Sequence, residues 1–217
     1  MNKKVLKYIT LGIGCGCGAT ALFNIINAIF CITYINVDNQ ALINVGLIMR
    51  SVVGLAAACG FGLLCYVNVM AFVNDKESKY QKYPVSLFGV VIALSELVNM
   101  IFFYGYQDAL CYVLLVLAAS VIVVFVLALL QEDKKNALIL DLVAAGIAFT
   151  VAVVSSSYNG GWGLACDLFS MFTIMGVIGY LVCLVIINNN KQPKETKTEE
   201  VKEEAKAEEV KEEKESE

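Results

Sequence analysis

The chain has no histidine in 217 residues. That absence excludes a histidine-assisted serine or cysteine nucleophile, and with it the HExxH zinc motif. The strained GxSxG turn that would expose a nucleophilic serine is missing, as is the GxxxxGK[ST] loop that would cradle phosphates. No dense acidic motif suited to a metal-dependent lipid transferase occurs. Eight cysteines are present, but no two stand in a CxxC spacing. On these grounds the chain is expected not to be an enzyme and to carry neither cofactor nor metal.

Charge is also scarce, and it is unevenly placed. Soluble domains are about 45–50% apolar and about 25% charged; this chain is 59% hydrophobic and 17% charged, with mean hydropathy +0.71. Residues 191–217 hold seven Lys and eleven Glu, which leaves nine basic and nine acidic groups for residues 1–190. The acidic pI of about 5.0 therefore belongs to the tail.

What fills the remainder is a set of long runs almost free of charge: Tyr8–Val37, Ser51–Asn74, Tyr83–Gln107 (broken only by Glu96), Ala109–Gln131, Leu142–Cys166 and Leu168–Asn190. About 20 apolar residues cross a bilayer at 1.5 Å per residue. The runs predict six transmembrane helices near 8–35, 50–73, 84–104, 109–130, 137–156 and 162–188. A soluble helical core would need a polar face on each helix, and these are apolar all round. The expected fold is an all-α polytopic membrane protein with a transmembrane domain over 1–190. Residues 191–217, "KQPKETKTEEVKEEAKAEEVKEEKESE", form a low-complexity Glu/Lys-rich tail. Its apolar residues are too few for a core, so it is expected to be disordered, with a Glu/Lys spacing that favours transient helix.

Lysines mark alternate gaps: Lys3, Lys4 and Lys7; Lys76, Lys79 and Lys82; Lys134 and Lys135; then Lys191 and Lys194. The intervening gaps "INVDNQ", "YGYQD" and "SSSYNGGWG" have none. The positive-inside rule places both termini in the cytoplasm of a cell-membrane protein, with three hairpins pointing outward. Tyr34, Tyr104, Tyr106, Tyr158 and Trp162 fall at the predicted outer ends, where aromatic rings prefer the interface.

The segment "LGIGCGCGA" at residues 11–19 imitates a signal-peptide cleavage region behind a basic start. The apolar run continues past Phe30, however, so the segment reads as helix. Cys15 and Cys17 face opposite sides of a helix and cannot share one ion. Gly12 and Gly16 share one face, and Gly14 and Gly18 the opposite one; each pair has the GxxxG spacing that lets helices approach closely. A packing helix is the first reading, and a helix that unwinds to line a cavity is the second. The cysteines read as small apolar fillers with free thiols. Cys31, Cys111 and Cys166 lie near the outer face, where a disulfide is chemically allowed.

Ionisable and amide groups inside apolar helices carry the functional signal, because they are costly there. Glu96 lies about 16 Å into helix three counted from Val85, with Asn99 on the same face. Asn24 and Asn27 repeat that spacing in helix one, within strings that match at five positions, "ALFNIINAIF" and "ALSELVNMIF". Such repeats occur in transporters, and helices one and three would join if they packed through these matching faces. Arg50 is expected at or just below the outer end of helix two. Asp108 and Asp167 are expected in the outer part, and Asp141 near the inner end of helix five. Glu96, Asn99, Asn24, Asn27, Arg50 and Asp167 are the expected ligand-binding residues, in a polar pocket open to the outside. The competing reading is structural, with interhelical hydrogen bonds and one Arg–acid pair holding the bundle.

Six helices in about 190 residues with both termini inside resemble, in size and topology only, the substrate-binding membrane subunits of vitamin importers. That resemblance implies small-solute binding or transport. The alternative is a non-catalytic membrane scaffold or accessory subunit that docks a partner through small-residue helix faces. The expected partners are the lipid bilayer and either a small-molecule ligand or another membrane protein, with no nucleic acid.

Overall fold

The structure is a computed structural model that describes residues 3–36, 40–76, 78–103, 109–158 and 161–215; the side chains of Lys3, Tyr158 and residues after 188 lie outside the description. Six helices follow in chain order: α1 Lys3–Thr33, α2 Ala41–Val73, α3 Tyr83–Phe102, α4 Ala109–Leu130, α5 Lys134–Tyr158 and α6 Gly161–Glu215. Each contains a stretch long and apolar enough to span a bilayer. In α6 that stretch is Gly161–Asn188, and the helical backbone continues to Glu215 through the Glu/Lys repeat. Large apolar side chains such as Leu22, Leu63, Leu97, Val116, Ile139 and Phe172 stand exposed on all six helices. On a soluble monomer such a girdle would aggregate; in hydrocarbon it is the solvent-compatible surface. The molecule is an all-α polytopic membrane protein.

Neighbours in sequence pack as neighbours in space, and α6 returns to α1, so the helices close into a ring. α3 leans inward and also touches α5 and α6. One end of the ring gathers the start of α1, the α2–α3 loop and the α4–α5 loop, which carry the lysines; this is the basic end, and the opposite end is called the far end below.

Apart from the continuation of α6 through the tail that was expected to be disordered, helix boundaries differ from the predicted ones chiefly at α2. It begins at Ala41, because "ALINVGLIM" is itself apolar and helical. Arg50 therefore stands nine residues inside the helix, about 14 Å from its start, and not at its end. α2 stops at the basic end in a left-handed cap. Asp75 has φ 56°, the Lys76 N–H donates to the Ala71 carbonyl at 3.0 Å, and the Asp75 N–H donates to Phe72 at 3.4 Å. This double bond pattern closes helices that usually place glycine at the left-handed position. Here the aspartate gains an ion pair with Lys7 of α1 at 2.7 Å. A second pair, Lys82 with Asp141 at 2.9 Å, joins the start of α3 to α5, with Asp141 buried.

α1 runs unbroken, so the GxxxG region does not unwind. Gly14 lies against Asn68 and Val69, and Gly18 against Cys65, all on α2. Gly16 faces Thr173 of α6, while Gly12 faces open space. The seam continues toward the far end, where Gly54 of α2 meets Ala28 and the Asn24 carbonyl. Ser51 Oγ lies 3.0 Å from the Ala28 carbonyl across that seam and 2.9 Å from the Leu47 carbonyl of its own helix. The eight cysteines are thiols, and none is joined in a disulfide among the described residues. Tyr34 and Trp162 are exposed at the far end; Tyr104, Tyr106 and the Tyr158 side chain lie outside the described residues.

Replacing glycine by alanine inside a helix ordinarily gains up to about 1 kcal/mol. At Gly16 the new methyl would collide with Thr173, whose hydroxyl is held by a 2.8 Å bond to the Phe169 carbonyl. Gly16→Ala is expected to lose about 1–3 kcal/mol through overpacking, and Gly12→Ala to be neutral or slightly stabilising. Thermal melting of both variants in detergent checks this; equal behaviour would contradict the packing described.

Candidate functional site

A cavity of about 280 Å³ lies inside the ring, and all six helices contribute to its wall. Toward the far end its wall includes Leu110 and Cys111 in the first turn of α4 and Gly163 at the start of α6. Phe61 and Phe88, both almost fully buried, line its deeper part. Toward the basic end Ile13, Val85, Ile174, Val177 and Leu181 form solid apolar packing.

Glu96, Asn99, Asn24, Asn27, Arg50 and Asp167 all line this one cavity. They come from α1, α2, α3 and α6, so their meeting is a product of ring closure and not of proximity in the chain. Asp141 stays at the basic end in its pair with Lys82. Asp108 lies outside the described residues. α1 and α3 are not packed neighbours, because α2 stands between them in the ring. The two matching strings instead present Asn24 and Asn27, and Glu96 and Asn99, to the same space from different helices. α3 ends at Phe102, so Glu96 lies about 9 Å from the far end of its helix, nearer to it than a count from Val85 suggests.

Glu96 is 7% exposed and accepts a hydrogen bond from Asn99 Nδ2 at 3.2 Å. The geometry follows from the i,i+3 spacing on α3. The other end of that amide, Asn99 Oδ1, is buried and has no protein donor. Asn24 Nδ2 donates to the Thr20 carbonyl of its own helix at 2.8 Å. The Arg50 guanidinium stacks over the Phe103 ring at 5.0 Å. Among the described residues it makes no ion pair, so the expected Arg–acid pair is not the device that holds the site. Asp167 accepts from Ser155 Oγ at 2.9 Å, which ties α5 to α6.

Three hydroxyls on the wall, Ser95, Ser155 and Ser170, were not among the expected site residues. Ser155 falls in the last turn of the predicted helix 137–156, at the start of the lysine-free string "SSSYNGGWG"; α5 continues to Tyr158, and Ser155 is 1% exposed. Its three-residue serine run was a usable signal, since Ser157 and Ser156 turn back on their own backbone while Ser155 faces inward. Beside the α1–α6 seam, Phe23 stacks on Phe169 at 4.8 Å and on Trp162 at 6.1 Å. Among the described residues no cluster of metal-ligating side chains occurs.

No family model, curated protein or solved structure matches the chain.

A hydrogen bond to a charged group contributes about 1.5–3 kcal/mol. Ser155→Ala is therefore expected to lower stability by about that amount, while Ser156→Ala, on an exposed hydroxyl, is expected to be silent. Unfolding in detergent followed by circular dichroism measures both; an unaffected Ser155→Ala would show that the Asp167 contact does not hold α5 to α6.

Proposed function

We propose that the protein binds a small polar solute in this cavity, as a solute-binding or transport protein of the cell membrane. The basic end faces the cytoplasm by the positive-inside rule, and the solute enters from the far, outer side. The observation that carries the reading is the pattern of hydrogen bonds made by the cavity's polar groups. Residues that serve as interhelical glue spend their bonds on other helices. Here Glu96 and Asn99 bond to each other within α3, and Asn24 bonds back to α1. Among the described residues Asn99 Oδ1 has no partner. Burying these groups costs free energy that bundle cohesion does not return. A bound solute would supply the missing contacts. Ser155 to Asp167 does bind helix to helix, and it involves neither Glu96, Asn99 nor Asn24.

The scaffold reading needs free small-residue faces. Of the four glycines, Gly14, Gly16 and Gly18 are filled by α2 and α6 of the same chain and only Gly12 faces open space, which supports solute binding over partner docking.

The test uses Glu96. Glu96→Gln preserves the shape and a hydrogen-bond acceptor, so it is expected to leave stability within about 1 kcal/mol. Glu96→Leu strands the Asn99 amide and is expected to cost about 1–3 kcal/mol. Both are expected to lose the small polar molecule that co-purifies with the native protein, read by mass spectrometry of a denatured extract. Full retention of that molecule by Glu96→Gln would end the solute-binding reading.

A further inference from the structure

We infer that the solute is a small organic monocation, held through an ammonium group by Glu96, Asn99 and Asp167; this rests on the solute-binding reading above. The carboxylate and guanidinium side chains on the wall, among the described residues, are Glu96, Asp167 and Arg50. Glu96 has an amide, Asn99, as its hydrogen-bond partner, and among the described residues it forms no ion pair. An uncompensated charge in a low-dielectric bundle is expensive, and such groups are found paired or in contact with a substrate. Arg50 does not compensate Glu96: it forms no ion pair among the described residues and lies over the Phe103 ring.

The hydrogen-bond inventory points the same way. Asn99 is 8% exposed, its Nδ2 is spent on Glu96, and its Oδ1 lacks a donor. The α3 face thus offers a carboxylate and an amide carbonyl, both acceptors. An ammonium carries three donors and no acceptor, so it matches this face. A carboxylate or phosphate oxygen brought to the same place would set acceptor against acceptor, and a hydroxyl, with one donor, would satisfy only one of the acceptors. A cavity of 280 Å³ sits near the lower end of the range for small-molecule sites, about 300–1,000 Å³. That is room for an organic cation, and no metal-ligating cluster occurs among the described residues.

The experiment measures saturable binding to the full chain in lipid nanodiscs by calorimetry, with four probes of similar size: n-butylammonium, n-butanol, butyrate and 4-aminobutyrate. Sodium chloride at matched ionic strength serves as the control. Saturable binding of n-butylammonium is expected, with at least tenfold weaker binding of the other three. Glu96→Gln and Asp167→Asn are each expected to weaken n-butylammonium at least tenfold, and the lipid-facing Leu97→Val to leave it unchanged. Equal or tighter binding of butanol, butyrate or 4-aminobutyrate overturns the inference, as does full competition by sodium ions. Failure of n-butylammonium to bind overturns it too. If Glu96→Gln nevertheless empties the protein of its co-purified solute, the solute-binding reading stands without the cation; if it does not, both fall.

Discussion

Hydrocarbon offers no hydrogen bonds, and every polar group placed in it must find a partner within the protein or a cavity. That constraint organises this molecule. The six helices turn Leu, Ile, Val and Phe outward, and the polar side chains they carry either point into the ring or, like Ser120 and Thr150, bond their own backbone. Because neighbours in sequence are neighbours in space and α6 returns to α1, the inward faces converge on a single axis. Near the basic end that axis is filled by Ile13, Val85, Ile174 and Leu181. Toward the far end the inward side chains are shorter and polar, and a cavity remains.

Ring closure in turn relies on small residues. Gly14 and Gly18 admit α2, Gly16 admits α6, and Gly54 with Ala28 continues the close approach. Two ion pairs at the basic end, Lys7 with Asp75 and Lys82 with Asp141, add ties between elements distant in sequence. The Lys82 pair differs from an exposed one, since Asp141 is buried and Lys82 is largely covered. Removing one partner of such a pair leaves a charge without compensation, which is why it locks α3 against α5. The molecule is thus tightly closed at the basic end and polar and open at the other.

Most of the fold was legible because transmembrane helices announce themselves by length and by the absence of charge. The start of α2 lies nine residues before the predicted position 50, because a helix that lines a cavity can carry a charge such as Arg50 well inside its length. The candidate site was legible to the extent that its residues were the polar exceptions in apolar runs: Glu96, Asn99, Asn24, Asn27 and Asp167. Their mutual arrangement was not, since no local pattern says that α1 and α3 are separated by α2 or that Arg50 stacks on Phe103. Ser155 and Ser170 escaped notice because serine is common in membrane helices and usually bonds its own backbone, as Ser120 and Ser157 do here.

The central claim is a water-filled cavity that opens at the end opposite the lysines, and the chain's own thiols report on it. Cys111 and Cys166 line the cavity, whereas Cys59 is exposed on the lipid-facing side of α2. Thiols react with methanethiosulfonates as thiolates, which form in water and not in hydrocarbon. Intact cells treated with the impermeant trimethylammonium-ethyl reagent, followed by peptide mass spectrometry, are predicted to show modification of Cys166 and Cys111 and none of Cys59. Labelling of Cys59 with Cys111 and Cys166 untouched would contradict the account.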